Sequence, residues 1–331
     1  MVALRSSPFG MPSAGYCEAM DGLDEFLGVA LPVARVLIPI GLGILVRTLR
    51  VFDDADGAVL RKFVVRFTVP IFVFFSIYES TGEDLSQIAP MMLSLPVYTL
   101  ALFLLGWAVA RRFRGGPRRA SIHACITFCN YGWLGYGVAY ALQGEEGLRR
   151  VIYFLLLWWP IFYAFGLAIG YIHLGGQKGG IPMRRTLGLA LPPVAAMLLG
   201  LGANLGGVRM PEITVTSLKP LGEMTVPIIL LSVGMMLDFS RIHREIKPAL
   251  LISGITLVIG PLIAWGVGAL LTSDRISFAA LIFEGAMPVA TVIPLLEENY
   301  EMDADLVSTA IVLSTLLSLV SVPIVAMLVL G

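Results

Sequence analysis

The tetrapeptide Thr-Val-Pro-Ile occurs twice in this chain, in "RFTVPIFVFFS" at positions 66–76 and in "EMTVPIILLSV" at positions 223–233. Each copy places a proline, Pro70 or Pro227, inside an apolar run. A proline removes a backbone hydrogen-bond donor and kinks or breaks a helix. The same helix breaker in the same frame therefore predicts two equivalent, kinked helices in two halves of the molecule.

The composition around these copies is that of a membrane protein. The chain has 331 residues, of which 57% are hydrophobic and 14% are charged, whereas soluble domains have roughly 25% charged residues. Positions 85–110, 248–273 and 306–330 contain no charged side chain. Since about 20 apolar residues cross the hydrocarbon core as a helix, we expect a multi-pass protein of the lipid bilayer. The formal net charge of zero argues against a nucleic-acid partner.

Apolar runs between charged loops predict ten membrane helices, here called spans 1 to 10. They cover 26–49, 58–78, 88–110, 120–142, 150–173, 186–206, 215–238, 248–271, 276–296 and 305–330. An extramembrane tail (1–25) precedes the first five-helix unit (26–173), and a cytoplasmic linker (174–185) leads to the second (186–331). When residues at span ends are counted with the adjoining loop, the side after odd-numbered spans holds 15 Lys and Arg residues and the other side holds six. Because cytoplasmic loops collect these residues, we expect both termini outside the cytoplasm in the plasma (inner) membrane.

Two further matches show that the two units are repeats. "GVALPVA" at 28–34 matches "GLALPPVA" at 188–195, and "ACITF" at 124–128 matches "AALIF" at 279–283. With Thr-Val-Pro-Ile, the offsets are 160, 157 and 155 residues in chain order. Five helices is an odd number, so the second unit enters the membrane from the opposite side. The fold predicted is an all-α membrane protein with two inverted five-helix repeats, a plan typical of secondary transporters.

Spans 4 and 9 contain helix-breaking residues at corresponding places. Span 4 has Gly132, Gly135 and Gly137 within six residues, and span 9 has Pro288 and Pro294. Unwound backbone is tolerated at membrane depth only where it is buried in protein or lines a water-filled cavity. We therefore expect both spans to be broken and to cross near the midplane. The opened helix N-termini would present free N–H groups and positive dipole ends, which suit an anion.

The same regions resemble a known family. "AMPVATVIPLLEENYEMDADLVSTAIVLSTLLSLVSVPIV" at 286–325 resembles the end of the auxin efflux carrier family, which includes plant PIN-type carriers and bacterial dicarboxylate permeases. "CNYGWLGYGVAYALQGEEG" at 129–147 resembles the family's Asn-bearing fourth helix, although Gly137 stands where the family usually has proline. The resemblance covers about 26–330. It implies a scaffold part, a transport part that moves in elevator fashion, and an organic anion as substrate.

Asn130 is the central candidate of the substrate site. A polar residue at mid-span usually faces the protein interior and often marks a transport pathway. Its amide would either hold a carboxylate oxygen or satisfy carbonyls freed by the break. The residues predicted to bind substrate are Asn130, Tyr131, Gly132, Gly135, Gly137, Met287, Pro288 and Pro294, while Pro70 and Pro227 are predicted to be structural kinks.

Three charged residues are candidates for coupling or gating. Glu284 lies eight residues inside span 9, where an ionised carboxylate costs roughly 2.5–3.5 kcal/mol on insertion scales. It is interpreted either as a proton carrier or as one half of a structural pair with a group of span 2 or span 4. Arg66 and Glu223 each precede the proline of Thr-Val-Pro-Ile by four residues. They either form a gate pair or extend separately to the membrane interface.

These patterns predict a secondary active transporter that moves a small organic anion, such as a carboxylate, by alternating access. H⁺ and Na⁺ both stay open as the coupling ion, and a homodimer is a possible assembly. The alternative within transporters is a sodium-coupled carrier of the bile-acid symporter type, and a channel or receptor is a further class. No HExxH, paired-aspartate, Ser/His or P-loop pattern occurs. We therefore expect no enzyme activity, no metal site and no cofactor.

Overall fold

The computed structural model describes residues 22–175, 183–237, 239, 245–297 and 300–330. Within these ranges the chain is almost entirely helical and contains no β-strand. The α-helices are α1 (Gly22–Thr48), α2 (Asp54–Phe63), α3 (Val69–Tyr78), α4 (Gly82–Ser86), α5 (Ile88–Ala110), α6 (Gly116–Thr127), α7 (Tyr136–Leu155), α8 (Trp158–Leu174), α9 (Met183–Leu205), α10 (Glu212–Glu223), α11 (Thr225–Met236), α12 (Ile246–Gly254), α13 (Gly260–Leu271), α14 (Arg275–Gly285), α15 (Pro294–Glu297) and α16 (Ala304–Leu330). Three π-helical turns, Val64–Thr68, Tyr131–Gly135 and Ile255–Ile259, connect neighbouring helices.

Several of these helices are long and apolar enough to cross a membrane. By length and composition, four stretches of the described chain qualify: Gly82–Ala110, Glu212–Met236, Ile246–Leu271 and Ala304–Leu330. A fifth is added if Tyr131–Leu155 and Trp158–Leu174, which are bent by 45°, count as one span. The helical membrane fold is therefore present, whereas the full set of ten spans in two inverted repeats stays a prediction.

Both prolines of the repeated tetrapeptide lie at discontinuities. The π-helical turn Val64–Thr68 ends directly before α3, and Pro70 is in the first turn of α3. A π-helical turn adds a residue to the ladder, and it can absorb the donor that proline lacks. In the second copy, a turn at Met224 separates α10 from α11, and Pro227 follows in the first turn of α11. Both prolines therefore lie beside interruptions of regular helix, and the kinks themselves stay a prediction.

The helices that carry these prolines make very close backbone contacts with α1 and α9. A Cβ on Gly43 of α1 would lie 2.9 Å from the Cα of Gly234 on α11. A Cβ on Gly200 of α9 would lie 2.7 Å from the carbonyl oxygen of Phe74 on α3. Small residues at helix crossings let membrane helices approach closely. The two prolines thus belong to two tightly packed helix pairs, α1 with α11 and α9 with α3.

Gly144 interrupts α7 near its middle. Its φ of +66° and ψ of −151° lie outside the helical range, in a region that glycine adopts readily. The interruption falls in the loop predicted between spans 4 and 5. The predicted tail 1–25 and linker 174–185 lie largely outside the described residues, and α1 begins at Gly22.

Candidate functional site

The breaks in the two Gly- and Pro-rich segments face each other. Helix α6 ends at Thr127 and the next helical turn begins at Tyr131, while α14 ends at Gly285 and α15 begins only at Pro294. The backbone N–H of Asn130 donates to the carbonyl oxygen of Pro288 at 2.7 Å.

A second backbone hydrogen bond completes the pairing. The N–H of Ala290 donates to the carbonyl oxygen of Phe128 at 2.9 Å, and Cys129 and Val289 form an antiparallel bridge between them. The side-chain oxygen of Ser314, on α16, also lies 3.1 Å from the N–H of Val289 and accepts its hydrogen bond. The unwound segments thus satisfy some of their backbone groups with each other, as buried backbone requires. The two broken helices meet at one junction.

A cavity of about 70 Å³ lies beside this junction. Its walls come from both breaks, from α3 and the π-helical turn before it, from the kink between α7 and α8, and from α9 and α11. The lining residues are Val65, Val69, Val73, Cys129, Asn130, Tyr131, Gly132, Trp133, Tyr136, Ile152, Leu155, Leu156, Trp158, Trp159, Pro193, Ile229, Ala290 and Val292. Among the side chains that the structure describes, the lining is therefore apolar and aromatic, with one carboxamide and no charged group.

Asn130 supplies that carboxamide. Its side chain is 1% exposed, and its Oδ1 lies 3.5 Å from the hydroxyl of Thr291. Its Nδ2 has no hydrogen-bond partner among the described residues. A buried donor without a partner costs about 1–3 kcal/mol, so it is a natural position for the oxygen of a ligand. No described carbonyl freed by the break accepts a hydrogen bond from this amide.

The other predicted binding residues divide into two groups. Tyr131 and Gly132 line the cavity together with Asn130, and Pro288 contributes its carbonyl to the junction. Met287 is fully buried but does not line the cavity, and Pro294 is exposed at the start of α15. Residues of the second break that do line the cavity are Ala290 and Val292, which the sequence did not single out.

Gly137 does not belong to the cavity wall either. A Cβ on Gly137 would lie 3.1 Å from the side chain of Leu230 on α11 and 3.2 Å from that of Val36 on α1. The glycine that departs from the family pattern thus lies where the broken helix packs against α1 and α11. Its small size permits that close contact.

Gly135 and Glu284 lie directly against each other. The Glu284 carboxyl occupies the place where a Cβ of Gly135 would be, with its Cδ 2.6 Å from that position. Glu284 is fully buried in the last turn of α14, and neither of its oxygens has a hydrogen-bond partner among the described residues. Tyr98 and Tyr136 lie within electrostatic range of it. The structural ion pair considered for Glu284 is not formed in the described part of the chain, and an ionised carboxylate is costly there.

Arg66 and Glu223 are far less enclosed, and no ion pair joins them in the described ranges. Arg66 is exposed in the π-helical turn before α3, while Glu223 is exposed at the end of α10. Glu223 lines a second cavity, of about 300 Å³, that does not include Arg66. That cavity is lined by Phe72, Phe75, Ser76, Glu79, Tyr140, Glu145, Leu148, Arg149, Lys219, Glu223, Val226 and Pro227.

Trp158 and Trp159 are site residues that sequence reasoning missed. They begin α8, directly after the kink, and both line the small cavity. The ring of Trp158 meets that of Tyr131 edge-on, with centroids 5.2 Å apart. The stretch "LLLWWP" at 155–160 contained a usable signal, because a proline after two tryptophans in an apolar run marks a further irregular helix.

Comparison with known proteins identifies the family of this chain. The profile of the family described as "Membrane transport protein" matches residues 29–170 and 183–326. An uncharacterized transporter of Methanothermobacter thermautotrophicus is 32% identical over 303 residues, which are 90% of this chain and 97% of the relative. An uncharacterized transporter of Methanocaldococcus jannaschii is 24% identical over 295 residues, covering 87% and 94% of the two chains. The chain is an integral membrane protein and belongs to the membrane transport protein family of the auxin efflux carrier type.

Proposed function

We propose that this protein is a secondary active transporter that moves a small organic carboxylate across the membrane by alternating access. The observation that supports this most strongly is the free Nδ2 of Asn130, buried in an apolar cavity where two broken helices meet. At membrane depth, unwound backbone is tolerated only where it is buried in protein or lines a cavity, so paired breaks beside a cavity favour a binding site there.

The chemistry of the cavity suits an anion with an apolar body. The helical stretch Tyr131–Leu155 begins at the cavity, and its N-terminal N–H groups and positive dipole end attract a carboxylate. Asn130 adds one directed donor. Aromatic and aliphatic walls would hold the rest of the ligand by removing its apolar surface from water. Among the side chains that the structure describes, no lysine or arginine lines the cavity, so these residues would hold the ligand without a fixed ion pair.

Alternating access would involve movement of the broken helices relative to the packed pairs α1–α11 and α9–α3. The cavity has walls from both parts, because Val69, Val73 and Ile229 come from α3 and α11 while Asn130 and Ala290 come from the breaks. A sliding movement would therefore change which side of the membrane the site faces. The inverted repeat, inferred from the matching sequence segments, would make the state that opens to one side of the membrane similar in structure to the state that opens to the other side.

Glu284 is the proposed proton carrier of this cycle. Its carboxyl is fully buried, unpartnered, and in contact with the turn that begins at the substrate cavity. When a carboxyl group in this position gains or loses a proton, its changed charge can alter the packing of the two breaks against each other. A sodium ion bound by the same carboxylate is the second candidate, since an unpartnered buried carboxylate also attracts a cation.

Counterflow of labelled mono- and dicarboxylates in proteoliposomes tests the proposed transport. We expect Asn130→Ala to raise KM about 10- to 100-fold, because a hydrogen bond to a charged group contributes roughly 1.5–3 kcal/mol. Asn204→Ala is the matched control. The Asn204 amide donates to the carbonyls of Tyr78 and Ser80 at 2.8 Å, away from the cavity, so its loss should leave KM unchanged. An unaltered KM and kcat in Asn130→Ala would overturn the assigned site.

The coupling ion is tested in the same vesicles. With Glu284→Gln, uptake should no longer respond to an imposed pH gradient, while substrate counterflow at equal pH continues. Full dependence of the variant on the pH gradient would refute the proton-carrier role. A requirement for sodium in the wild type that disappears in the variant would favour the sodium-coupled alternative.

A further inference from the structure

Two clusters, each of one arginine and two carboxylates, join helices that carry the two breaks. The first triad consists of Asp84, Arg150 and Asp274, and a second arginine, Arg149, lies beside it with its Nε 3.6 Å from Asp84. The Nη1 of Arg150 donates to Asp84 at 2.6 Å, and its Nε donates to Asp274 at 3.2 Å. The side chain of Arg150 is 3% exposed. Asp274 is also the N-cap of α14, where it accepts hydrogen bonds from the N–H and the hydroxyl of Ser277.

The second triad consists of Arg118, Glu245 and Asp303. Arg118 donates to Glu245 through both terminal nitrogens, at 3.0 and 2.6 Å, and to Asp303 at 3.2 Å. Arg118 lies in the first turn of α6, Glu245 precedes α12, and Asp303 precedes α16. The N–H of Asp303 also donates to the hydroxyl of Ser121 on α6 at 2.8 Å.

The two triads occupy corresponding places in the sequence repeat. Glu245 lies 161 residues after Asp84, Asp274 lies 156 after Arg118, and Asp303 lies 153 after Arg150. The matching sequence segments have offsets of 160, 157 and 155 residues in the same chain order. Asp84 thus corresponds to another carboxylate, Glu245. The arginine of each triad corresponds to an aspartate of the other triad, so the composition of one arginine and two carboxylates is the same in both. Chance placement does not readily give three charged positions with the offsets of the repeat.

Each triad attaches one broken helix of one unit to two helices of the other unit. Asp274 fixes the outer end of α14, and Arg118 fixes that of α6. Arg118 lies nine residues before the end of α6, and Asp274 lies eleven before the end of α14, so about 14 and 16 Å of rigid helix connect the triads to the junction. The breaks themselves are paired by only two backbone hydrogen bonds between Phe128–Asn130 and Pro288–Ala290. How the outer ends are held therefore contributes to the alignment of the breaks, together with the packing of α6 on α5 and of α14 on α13.

We propose that Arg118 and Arg150 are positioning residues that keep the two breaks in register by holding the outer ends of α6 and α14. This rests on the proposed function insofar as the breaks form the substrate site. Neither arginine lines the cavity. They act at a distance, through a rigid half-helix each, on the place where Asn130 presents its free amide.

Amide hydrogen exchange at the junction tests the proposal without substrate. Peptides that contain the N–H groups of Asn130 and Ala290 should exchange at least tenfold faster in Arg118→Gln and in Arg150→Gln than in the wild type. Lys219→Gln is the matched control, because Lys219 pairs with Glu79 at 2.7 Å between α10 and the end of α3. It should leave exchange at the junction unchanged.

A charge exchange separates positioning from general destabilisation. Arg118→Glu should accelerate exchange at the junction, and adding Glu245→Arg should restore protection, since the cluster again has one arginine and two carboxylates. Wild-type exchange at the junction in both glutamine variants, or no restoration by the charge exchange, would overturn the proposal. Asn130→Ala tests the proposed function separately, because that variant leaves both triads intact. A raised KM in this variant would support the substrate site even if the glutamine variants showed wild-type exchange, and an unaltered KM would overturn the site without affecting the role of the arginines.

Discussion

The contact between Gly135 and Glu284 predicts that Gly135→Ala destabilises the wild-type protein but stabilises a variant in which Glu284 has been truncated. A Cβ added to Gly135 would lie 2.6 Å from the Glu284 Cδ and nearer still to both carboxyl oxygens. Overpacking a well-packed site costs about 1–3 kcal/mol. Alanine also gains about 0.5–1 kcal/mol over glycine inside a helix, and the φ of −59° and ψ of −40° at Gly135 accept alanine. Gly135→Ala should therefore destabilise the wild type by about 0.5–2 kcal/mol.

Truncating the glutamate removes the clash. In the Glu284→Ala background the same Gly135→Ala change should stabilise the protein by about 0.5–1 kcal/mol, since the alanine methyl then enters vacated space. The double-mutant cycle should thus give a coupling energy of about 1–3 kcal/mol. Denaturant unfolding in mixed micelles, followed by tryptophan fluorescence, measures all four variants.

Gly132→Ala provides the control for this cycle. It lies in the same π-helical turn as Gly135, but the nearest atom to its added Cβ, on Leu155, is 3.4 Å away. Its effect on the unfolding free energy should be the same with or without Glu284. If Gly135→Ala also behaves identically in both backgrounds, the carboxyl does not lie against Gly135 and the described geometry of the junction is wrong.

Two further substitutions test other parts of the structure. Gly234→Ala would place a Cβ 2.9 Å from backbone atoms of α1, and it should lower the free energy of unfolding by about 1–3 kcal/mol. A Cβ on Gly41 would have no atom within 4 Å, so Gly41→Ala should raise the free energy of unfolding by up to about 1 kcal/mol. Asp274 gives a pH dependence: burial opposes its charged form, but hydrogen bonds from Ser277 and Arg150 prevail and hold its pKa below the usual 3.8. The charge of Asp274 stabilises the fold fully above pH 3.8, and this stabilisation is lost as pH falls through the lowered pKa. The melting temperatures of wild type and Asp274→Asn should therefore converge below about pH 3.8. A difference between the two melting temperatures that stays constant with pH would contradict this.

The broken segments could be predicted because helix breakers act locally. Pro70, Pro227 and Pro288 each lie at or beside an interruption of regular helix, since a missing donor disturbs the ladder whatever surrounds it. The hydropathy of a segment likewise indicates whether lipid or water surrounds it, without knowledge of its contacts. The confirmed parts of the prediction are thus a helical membrane fold and a transport family, both of which depend on residue type more than on contacts.

The residues around the cavity were harder to predict because they depend on how helices are rotated against each other. Met287 and Ala290 are three residues apart in one break, yet only Ala290 lines the cavity. Trp158 comes from a helix that the repeat did not mark. Arg66 and Glu223 occupy equivalent sequence positions but lie in unrelated surroundings. Sequence equivalence between repeats describes where residues lie along each chain segment, and it does not imply that they touch.

The three glycines of span 4 show the same distinction most clearly. Their number suggests a flexible, easily unwound helix, yet each one meets a different neighbour. Gly132 lines the cavity, Gly135 makes room for the Glu284 carboxyl, and Gly137 lies against side chains of α1 and α11. A larger residue at either of the last two positions would separate the broken helix from a packed partner. Two of the three glycines therefore permit close approach and the third borders open space, and the break is a packed junction at which the cavity, the buried carboxyl and the α1–α11 pair come together.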